Sequence, residues 1–238
     1  MSGGAELIWR EAPDRETLAR EIAARVAGAL GSRLREAPRA SLAVSGGATP
    51  ALFFARLSER DLDWARVDVT LVDDRWVPTS SPRSNEAMAR ARLLQGGAAK
   101  AAFFALTTGD ATPQQGRAAV EASLARLAWP LDVVVLGMGG DGHTASFFPG
   151  GDRLAQALDR ASPHRVEAMT APGAGEPRIT LTAPALLGAR LTLLHIEGPA
   201  KRETLARAQA PGDIAQMPIR LFLRQAERLE IYWTPEGG

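Results

Sequence analysis

The sequence contains no cysteine, and this absence excludes several kinds of chemistry. Without thiols the chain has no disulfide, no thiolate nucleophile and no cysteine-ligated metal. Histidine is also scarce, with only His143, His164 and His195 in 238 residues. A histidine-rich metal site would have to recruit all three, and their spacing does not suggest one. We therefore expect no metal.

Long apolar runs and an excess of charge are missing as well. No stretch reaches the roughly 18 consecutive apolar residues of a membrane-spanning helix. The N-terminus carries Glu6, Arg10 and Glu11 and lacks the apolar core of a signal peptide. The net charge of +1 gives no basic footprint for nucleic acid. We expect a cytoplasmic protein without membrane or nucleic-acid partners.

The residues that are present alternate between two hydrophobic patterns. β-type apolar runs predict strands at 41–44, 67–72, 131–136, 178–182, 191–196 and 229–233, the last at a sheet edge. Helical spacing and capping signals predict helices at 14–30, 50 onward, 84–94, 112–129, 152–159, 184–187 and 198–208. This alternation predicts an α/β fold with a mainly parallel sheet flanked by helices. No repeat or long polar linker divides the chain, so we predict one domain over 1–238.

Two helix boundaries have clear local signals. Asp14 is a predicted N-cap of the first helix, which Gly31 is expected to follow. Thr49 is predicted to cap the second helix, with Pro50 in its first position.

Three polar or glycine-rich loops follow predicted strands, at 45–50, 73–76 and 137–146. In open α/β sheets ligands bind at the carboxyl ends of the strands, so we expect the three loops to form one site.

The first loop, residues 45–49, has the features of an anion cradle. Ser45, Gly46, Gly47 and Thr49 place hydroxyl and backbone N–H groups at a helix start, where a phosphate is favoured. The loop lacks the Gly-Lys-Ser/Thr ending of a nucleotide-binding P-loop, which disfavours ATP. A tight turn with an ordinary N-cap is the alternative.

The second loop carries Asp73, Asp74 and Arg75. Neighbouring strand residues point to opposite faces, so one acid and Arg75 are expected to face the cleft. A surface ion pair would explain the same residues.

The third loop, residues 137–146, we call the glycine loop. It matches G-x-G-x-x-G, but it comes late in the chain and carries Asp141, which disfavours a dinucleotide. Gly139 and Gly140 allow a ligand to approach the backbone closely. His143 is a candidate general base. Asp141 is a candidate for orienting the imidazole or shaping the turn, whereas His195, in an apolar strand, is predicted to be structural.

Two isolated cations could add to an anion site. Arg178 begins a strand, and Lys201 lies near a helix start, where the helix dipole does not favour a cation. Taken singly, each is also explained by surface solvation.

Taken together and in order, these motifs resemble those of the 6-phosphogluconolactonases over about residues 40–233. The motifs are Ser-Gly-Gly-Ala-Thr-Pro, Asp-Asp-Arg-Trp-Val-Pro with Ser84-Asn85 after it, Gly-Met-Gly-Gly-Asp-Gly-His-Thr-Ala-Ser, Arg-Ile-Thr-Leu-Thr and Gly198-x-x-Lys201. The related glucosamine-6-phosphate deaminases share the Gly-x-Asp-Gly-His core. The resemblance implies a Rossmann-like fold of the deaminase and ribose-5-phosphate isomerase type.

Two positions separate the branches. The deaminases have Phe-Asn-Glu where this chain has Ser146, Phe147 and Phe148, so their catalytic acid is missing here. They have Asp-Glu-Tyr where this chain has 73–75. Lactonases usually have Asp-Glu-Arg there and often Leu at 147, so Asp74 and Phe147 are mild departures.

The resemblance implies hydrolysis of 6-phospho-D-glucono-1,5-lactone in the oxidative pentose phosphate pathway, without a cofactor. His143 would take a proton from water, and Asp141 and Arg75 would assist. The substrate and its phosphate would contact the anion cradle, Asp73, Gly139, Gly140, Arg178 and Lys201. A deaminase or isomerase, and a non-catalytic sugar-phosphate regulator, are the alternatives. A monomer or weak homo-oligomer is expected.

Overall fold

The computed structural model describes residues 5–237. The predicted domain of 1–238 extends beyond them, since residues 1–4 and 238 lie outside the described part. Within 5–237 the chain forms a large and a small sheet with flanking helices. The strands are β1 Glu6–Glu11, β2 Ala40–Val44, β3 Val67–Leu71, β4 Asp73–Arg75, β5 Ala102–Phe104, β6 Val133–Leu136, β7 Val166–Met169, β8 Arg178–Leu181, β9 Leu191–Glu197 and β10 Arg228–Thr234. The helices are α1 Arg15–Glu36, α2 Ala51–Ser58, α3 Asn85–Arg92, α4 Pro113–Leu124, α5 Leu154–Leu158, α6 Ala183–Leu187, α7 Pro199–Gln209 and α8 Arg220–Gln225.

The large sheet has seven parallel strands in the order β1-β10-β9-β6-β2-β3-β5. Its inner strands are apolar and buried on both faces, as parallel strands between helices are. This confirms the predicted α/β fold. β2 and β6 are neighbours, yet the chain continues from β2 toward one edge and from β6 toward the other. Their carboxyl ends therefore form the switch point at which such sheets bind ligands.

The small sheet pairs β4, β8 and β7 antiparallel. Val72 joins it to the large sheet: its N–H donates to the carbonyl of Val44 at 2.9 Å, and its carbonyl accepts from Leu181 N at 2.8 Å. Residues 73–75, expected to be a loop, are thus a strand of the second sheet. β7 was not predicted.

Local signals were correct at several helix starts. Asp14 caps α1 through Thr17 N, Ser84 caps α3 and Thr112 caps α4. The predicted end of α1 at Leu30 is wrong, because the helix continues to Glu36, before Ala37 and Pro38. Leu30 is fully buried, and its packing outweighs the roughly 1 kcal/mol cost of glycine inside a helix.

Other boundaries also differ. The Thr49 cap is wrong: α2 begins at Ala51, and its N-cap is Pro50. α4 ends at Leu124, before the predicted 129. β10 is not an edge strand, because the unpredicted β1 pairs with its outer side. α8 was not predicted either. Among the described residues, no helix is long and apolar enough to cross a membrane.

Candidate active site

A cavity of about 190 Å³ lies at the carboxyl ends of β2 and β6. Of the twelve residues that the sequence singled out as site residues, ten line it. They are Ser45, Gly46, Gly47, Thr49, Asp73, Arg75, Gly139, His143, Arg178 and Lys201. All three loops expected to share a site therefore meet in one cavity.

The glycine loop follows the buried strand β6 and folds back on itself. Gly139 N donates to the carbonyl of His143 at 2.8 Å, and Gly142 N donates to that of Gly139 at 3.1 Å. Gly142 has a φ of +82°, which favours glycine. A Cβ on Gly139 would overlap the His143 ring. The loop is further held by Ile219, whose N–H donates to Gly142 at 2.9 Å.

This fold brings Asp141 against His143. Asp141 Oδ1 lies 2.6 Å from His143 Nδ1 and accepts from His143 N at 3.0 Å. An ionised carboxylate only accepts, so Nδ1 carries hydrogen and Nε2 is left as a proton acceptor. The hydrogen bond from His143 lowers the pKa of Asp141 to about 2. Asp141 contacts the histidine but does not itself line the cavity.

Phe148 packs against the same imidazole. The two rings lie 4.3 Å apart at an angle of 33°. Phe148 is buried, and the Arg178 guanidinium lies 5.3 Å from its ring centroid. An apolar ring thus lies beside the candidate base.

An arginine pair forms a second wall, on the small sheet. The register of β4 and β8 places Arg75 directly opposite Arg178. Arg75 Nη1 donates to Arg83 O at 2.6 Å and to Asn85 Oδ1 at 3.1 Å, and Arg178 Nη2 donates to Ala174 O at 2.7 Å. The Nε atom of each arginine is buried and has no partner among the described residues. Burial lowers the pKa of Arg178. Arginine nevertheless stays charged in proteins, so the pair is suited to an anion.

Asp73 supports this wall from the cavity side. Its Oδ2 accepts from Ser146 Oγ at 2.5 Å and lies 3.7 Å from Arg178 Nη1. The carboxylate thereby connects the end of the glycine loop to the arginine pair.

Asp74 faces away from the cavity, as strand alternation predicts. It accepts from the N–H groups of Arg75, Asn85 and Glu86 at 2.7, 2.8 and 3.0 Å. Burial nevertheless raises the pKa of Asp74 to about 6. The carboxylate contacts the backbone at the start of α3 and does not line the cavity, so Asp74 is not part of the candidate site.

The anion cradle closes the third side. Gly47 has a φ of +93°, and a Cβ on Gly46 would overlap the side chain of Asn85. Because Thr49 does not cap α2, its hydroxyl is available to the cavity it lines. Asn85, which belongs to the second motif but is not among the predicted site residues, also lines the cavity. It donates to Asp73 O at 3.0 Å.

Lys201 belongs to α7, and Gly140 of the glycine loop contacts the same helix. Lys201 lines the cavity, and burial lowers its pKa while the charge of Asp141 acts in the opposite direction. Gly140 does not line the cavity. Its carbonyl instead accepts from Thr204 at 3.3 Å and Arg207 at 3.2 Å. The structure therefore gives Gly140 a contact with α7, not the expected place against a ligand.

Sequence reasoning missed a second carboxylate–histidine pair at the end of β9. His195 Nε2 lies 3.2 Å from Glu197 Oε1, and Glu197 Oε2 accepts from Arg15 Nε at 2.8 Å. Both His195 and Glu197 are buried, and both line the cavity. The signal was available, since both residues lie at the carboxyl end of a predicted strand. Among residues 5–237, no cluster of three or more histidine and acidic side chains is placed to hold a metal.

Comparison with known proteins agrees with this architecture. The profile of the family described as glucosamine-6-phosphate isomerases/6-phosphogluconolactonase matches residues 13–233. The chain is 50% identical over 236 residues to the 6-phosphogluconolactonase of Rhizobium meliloti (strain 1021), covering 99% of this chain and 100% of that protein. It is 43% identical over 228 residues to that of Pseudomonas aeruginosa, covering 96% and 94%.

Solved structures give the same result. A 6-phosphogluconolactonase from Shewanella baltica OS155 superposes with a TM-score of 0.93 at 36% identity, covering 96% of this chain and 98% of that one. A monomeric glucosamine-6-phosphate deaminase superposes with a TM-score of 0.76 at 18% identity, covering 96% and 98%, which shows a shared fold. The chain therefore belongs to the glucosamine-6-phosphate isomerase/6-phosphogluconolactonase family.

Proposed function

We propose that this chain is a 6-phosphogluconolactonase, which hydrolyses 6-phospho-D-glucono-1,5-lactone to 6-phosphogluconate. One observation carries the proposal beyond family membership. A histidine oriented by a carboxylate presents an unpaired Nε2 to a cavity lined by two arginines. A general base beside an anion site is what water attack on a phosphorylated ester requires.

In the proposed reaction His143 accepts one proton in the first step and returns it in the second. His143 Nε2 takes a proton from water as the oxygen of that water bonds to the lactone carbonyl carbon. The tetrahedral oxyanion then collapses, the bond from carbon to the ring oxygen breaks, and the imidazolium returns the proton to the leaving alkoxide. Asp141 holds the ring and stabilises its charged form.

The anionic groups of the substrate need two different sites. We assign the phosphate to the anion cradle, with Arg178 and Lys201 adding charge. Arg75 or N–H groups of the glycine loop are the candidate donors to the oxyanion. Asp73 positions Arg178, which it approaches at 3.7 Å. No cofactor is required, because a δ-lactone is already an activated ester.

Phe148 favours this reaction over ring-opening deamination. At position 148 the side chain that packs against His143 is an apolar ring, so this position supplies no carboxyl group for ring opening. The test is to measure lactone hydrolysis with freshly generated 6-phosphogluconolactone beside ammonia release from glucosamine 6-phosphate. We expect the first activity alone. Ammonia release without lactone hydrolysis would overturn the proposal.

We also propose a cytoplasmic location and a monomer or weak homo-oligomer. A phosphorylated substrate is charged and does not cross a bilayer, which supports the location. Cell fractionation and light scattering test the two statements.

A further inference from the structure

The second carboxylate–histidine pair has no role in the proposed reaction, although it lines the same cavity. Both oxygens of Glu197 accept hydrogen bonds, one from Arg15 and one from the ring of His195. Nε2 of His195 is therefore the donor and carries hydrogen.

The other ring nitrogen is in an unusual position. Nδ1 of His195 is buried and has no partner among the described residues. Beside the ring lies Phe53 of α2, edge-on with ring centroids 6.3 Å apart, and it offers no acceptor. A proton on Nδ1 would be a buried donor without an acceptor, which is costly. We therefore expect Nδ1 to be unprotonated in the ligand-free protein.

His195 lies close to the anion cradle. The pairing of Leu136 with Leu194 places Gly137 beside His195 on the next strand. Gly137 in turn approaches Ser45, since a Cβ on this glycine would lie 3.3 Å from Ser45 Oγ. Ser45, Gly137 and His195 all line the cavity.

We infer that His195 is a phosphate-binding residue: Nδ1 takes up a proton from solvent when a phosphate dianion occupies the cradle, and donates it to a phosphate oxygen. The inference rests on the proposed phosphosugar function. The dianion supplies the acceptor that the protein does not provide. Phosphate monoesters carry their second negative charge at neutral pH, so the dianion is present as an acceptor under ordinary assay conditions.

Other charged groups around the cavity influence this proton. Glu197 on the same strand favours it, whereas the nearby cations oppose it. Those cations are Arg15 of α1, Lys201 of α7, and Arg75 and Arg178 of the small sheet. In the glycine loop, Asp141 is ionised and also favours the proton. His143 is the other histidine that lines the cavity, so it is the group to control for.

The experiment is calorimetric titration of the full chain with 6-phosphogluconate near neutral pH, in two buffers with different ionisation enthalpies. We expect net uptake of up to one proton per ligand, and none with gluconate, which lacks the phosphate. Uptake should persist in His143→Asn and in the exposed-loop control His164→Asn, and it should disappear in His195→Asn.

Binding without proton uptake, or uptake that survives His195→Asn, would overturn the inference and leave the lactonase proposal intact. Failure of the unmodified chain to bind 6-phosphogluconate while it hydrolyses the lactone would overturn the inference as well. Failure of both binding and hydrolysis would instead remove the proposed function.

Two substitutions separate binding through Nδ1 from a purely structural role. Asn places its amide near the position of Nδ1, whereas Gln places its amide near Nε2, toward Glu197. We expect KM for the phosphorylated lactone to rise about tenfold in His195→Gln and less in His195→Asn, with kcat nearly unchanged in both. Equal loss in both variants, or a fall in kcat alone, would contradict the assignment.

Discussion

Two carboxylate–histidine pairs each place a histidine in the wall of the cavity, and in each pair the two residues lie two positions apart in sequence. Asp141 and His143 lie on a loop, and their side chains are 49% and 30% exposed. His195 and Glu197 lie on a strand, and theirs are 3% and 4% exposed. The loop pair is joined through Nδ1 and the strand pair through Nε2. The two pairs therefore share their chemistry and differ in which nitrogen is left over and what surrounds it.

That difference separates their proposed roles. The unpaired Nε2 of His143 lies in a ring that solvent reaches, so it can exchange protons with water during each turnover. The unpaired Nδ1 of His195 is enclosed, so a proton there needs an acceptor brought by the ligand. In this cavity, burial of the remaining nitrogen distinguishes a base from a binding group.

The largest expected effect comes from His143→Ala. Removal of the base should lower kcat by roughly 10²–10⁴-fold. Thermal unfolding should change little because the ring is partly exposed. His164→Ala, in an exposed loop, is the matched control in the same lactone assay. Activity within about twofold of the parent would remove His143 as the base.

Asp141→Asn and Glu197→Gln compare the carboxylates directly. We expect kcat to fall about 10–100-fold in the first variant, because the charge that stabilises the imidazolium is lost. In the second, kcat should stay within about threefold. Since the pKa of Asp141 is about 2, this carboxylate remains ionised throughout the useful pH range. The acid limb of kcat/KM should then move to lower pH in Asp141→Asn, and a pH series measures it. An equal fall in kcat in both variants would show that the two carboxylates do not differ in their role in catalysis.

Lys201→Ala tests a cation that lines the cavity together with both histidines. The proposed phosphate contact predicts a rise in KM of about tenfold for the phosphorylated lactone. Unphosphorylated gluconolactone should be little affected. Lys100→Ala, the other lysine of the chain, serves as the control. The same change in KM for both substrates would place Lys201 outside the phosphate site.

The smallest expected effect concerns the ring that packs on each histidine. His143 lies on Phe148, and His195 meets Phe53 edge-on. Phe148→Leu should lower kcat about threefold through a less fixed imidazole, and should destabilise the fold by about 1 kcal/mol. Steady-state kinetics and denaturant unfolding measure the two changes. An unchanged kcat with the stability loss alone would show that Phe148 only packs.

The loop pair could be predicted from the sequence because its signals are local. Glycines at 139 and 142, followed by His143, specify a turn and what it carries. The signal for His195 is weaker, because it consists only of a place at the carboxyl end of a predicted strand. An apolar strand predicts burial, but not that its carboxyl end reaches the cavity beside Gly137.

Long-range pairing limited the rest. The sequence identifies Arg75 and Arg178 only as separate candidates. Their position opposite one another depends on an antiparallel register between segments about 100 residues apart in the chain. The edge assignment of β10 failed for a similar reason, since β1 pairs with it from the far N-terminal end.

Val72 sets the relation between the two walls of the cavity. Its N–H belongs to the sheet that carries the histidines, and its carbonyl belongs to the sheet that carries the arginines. Backbone hydrogen bonds on both sides of this buried residue therefore connect the arginine pair to the sheet that carries the histidines and the anion cradle. We expect the site to be preorganised, so that the conformational entropy of ordering its side chains is lost during folding and not when the substrate binds.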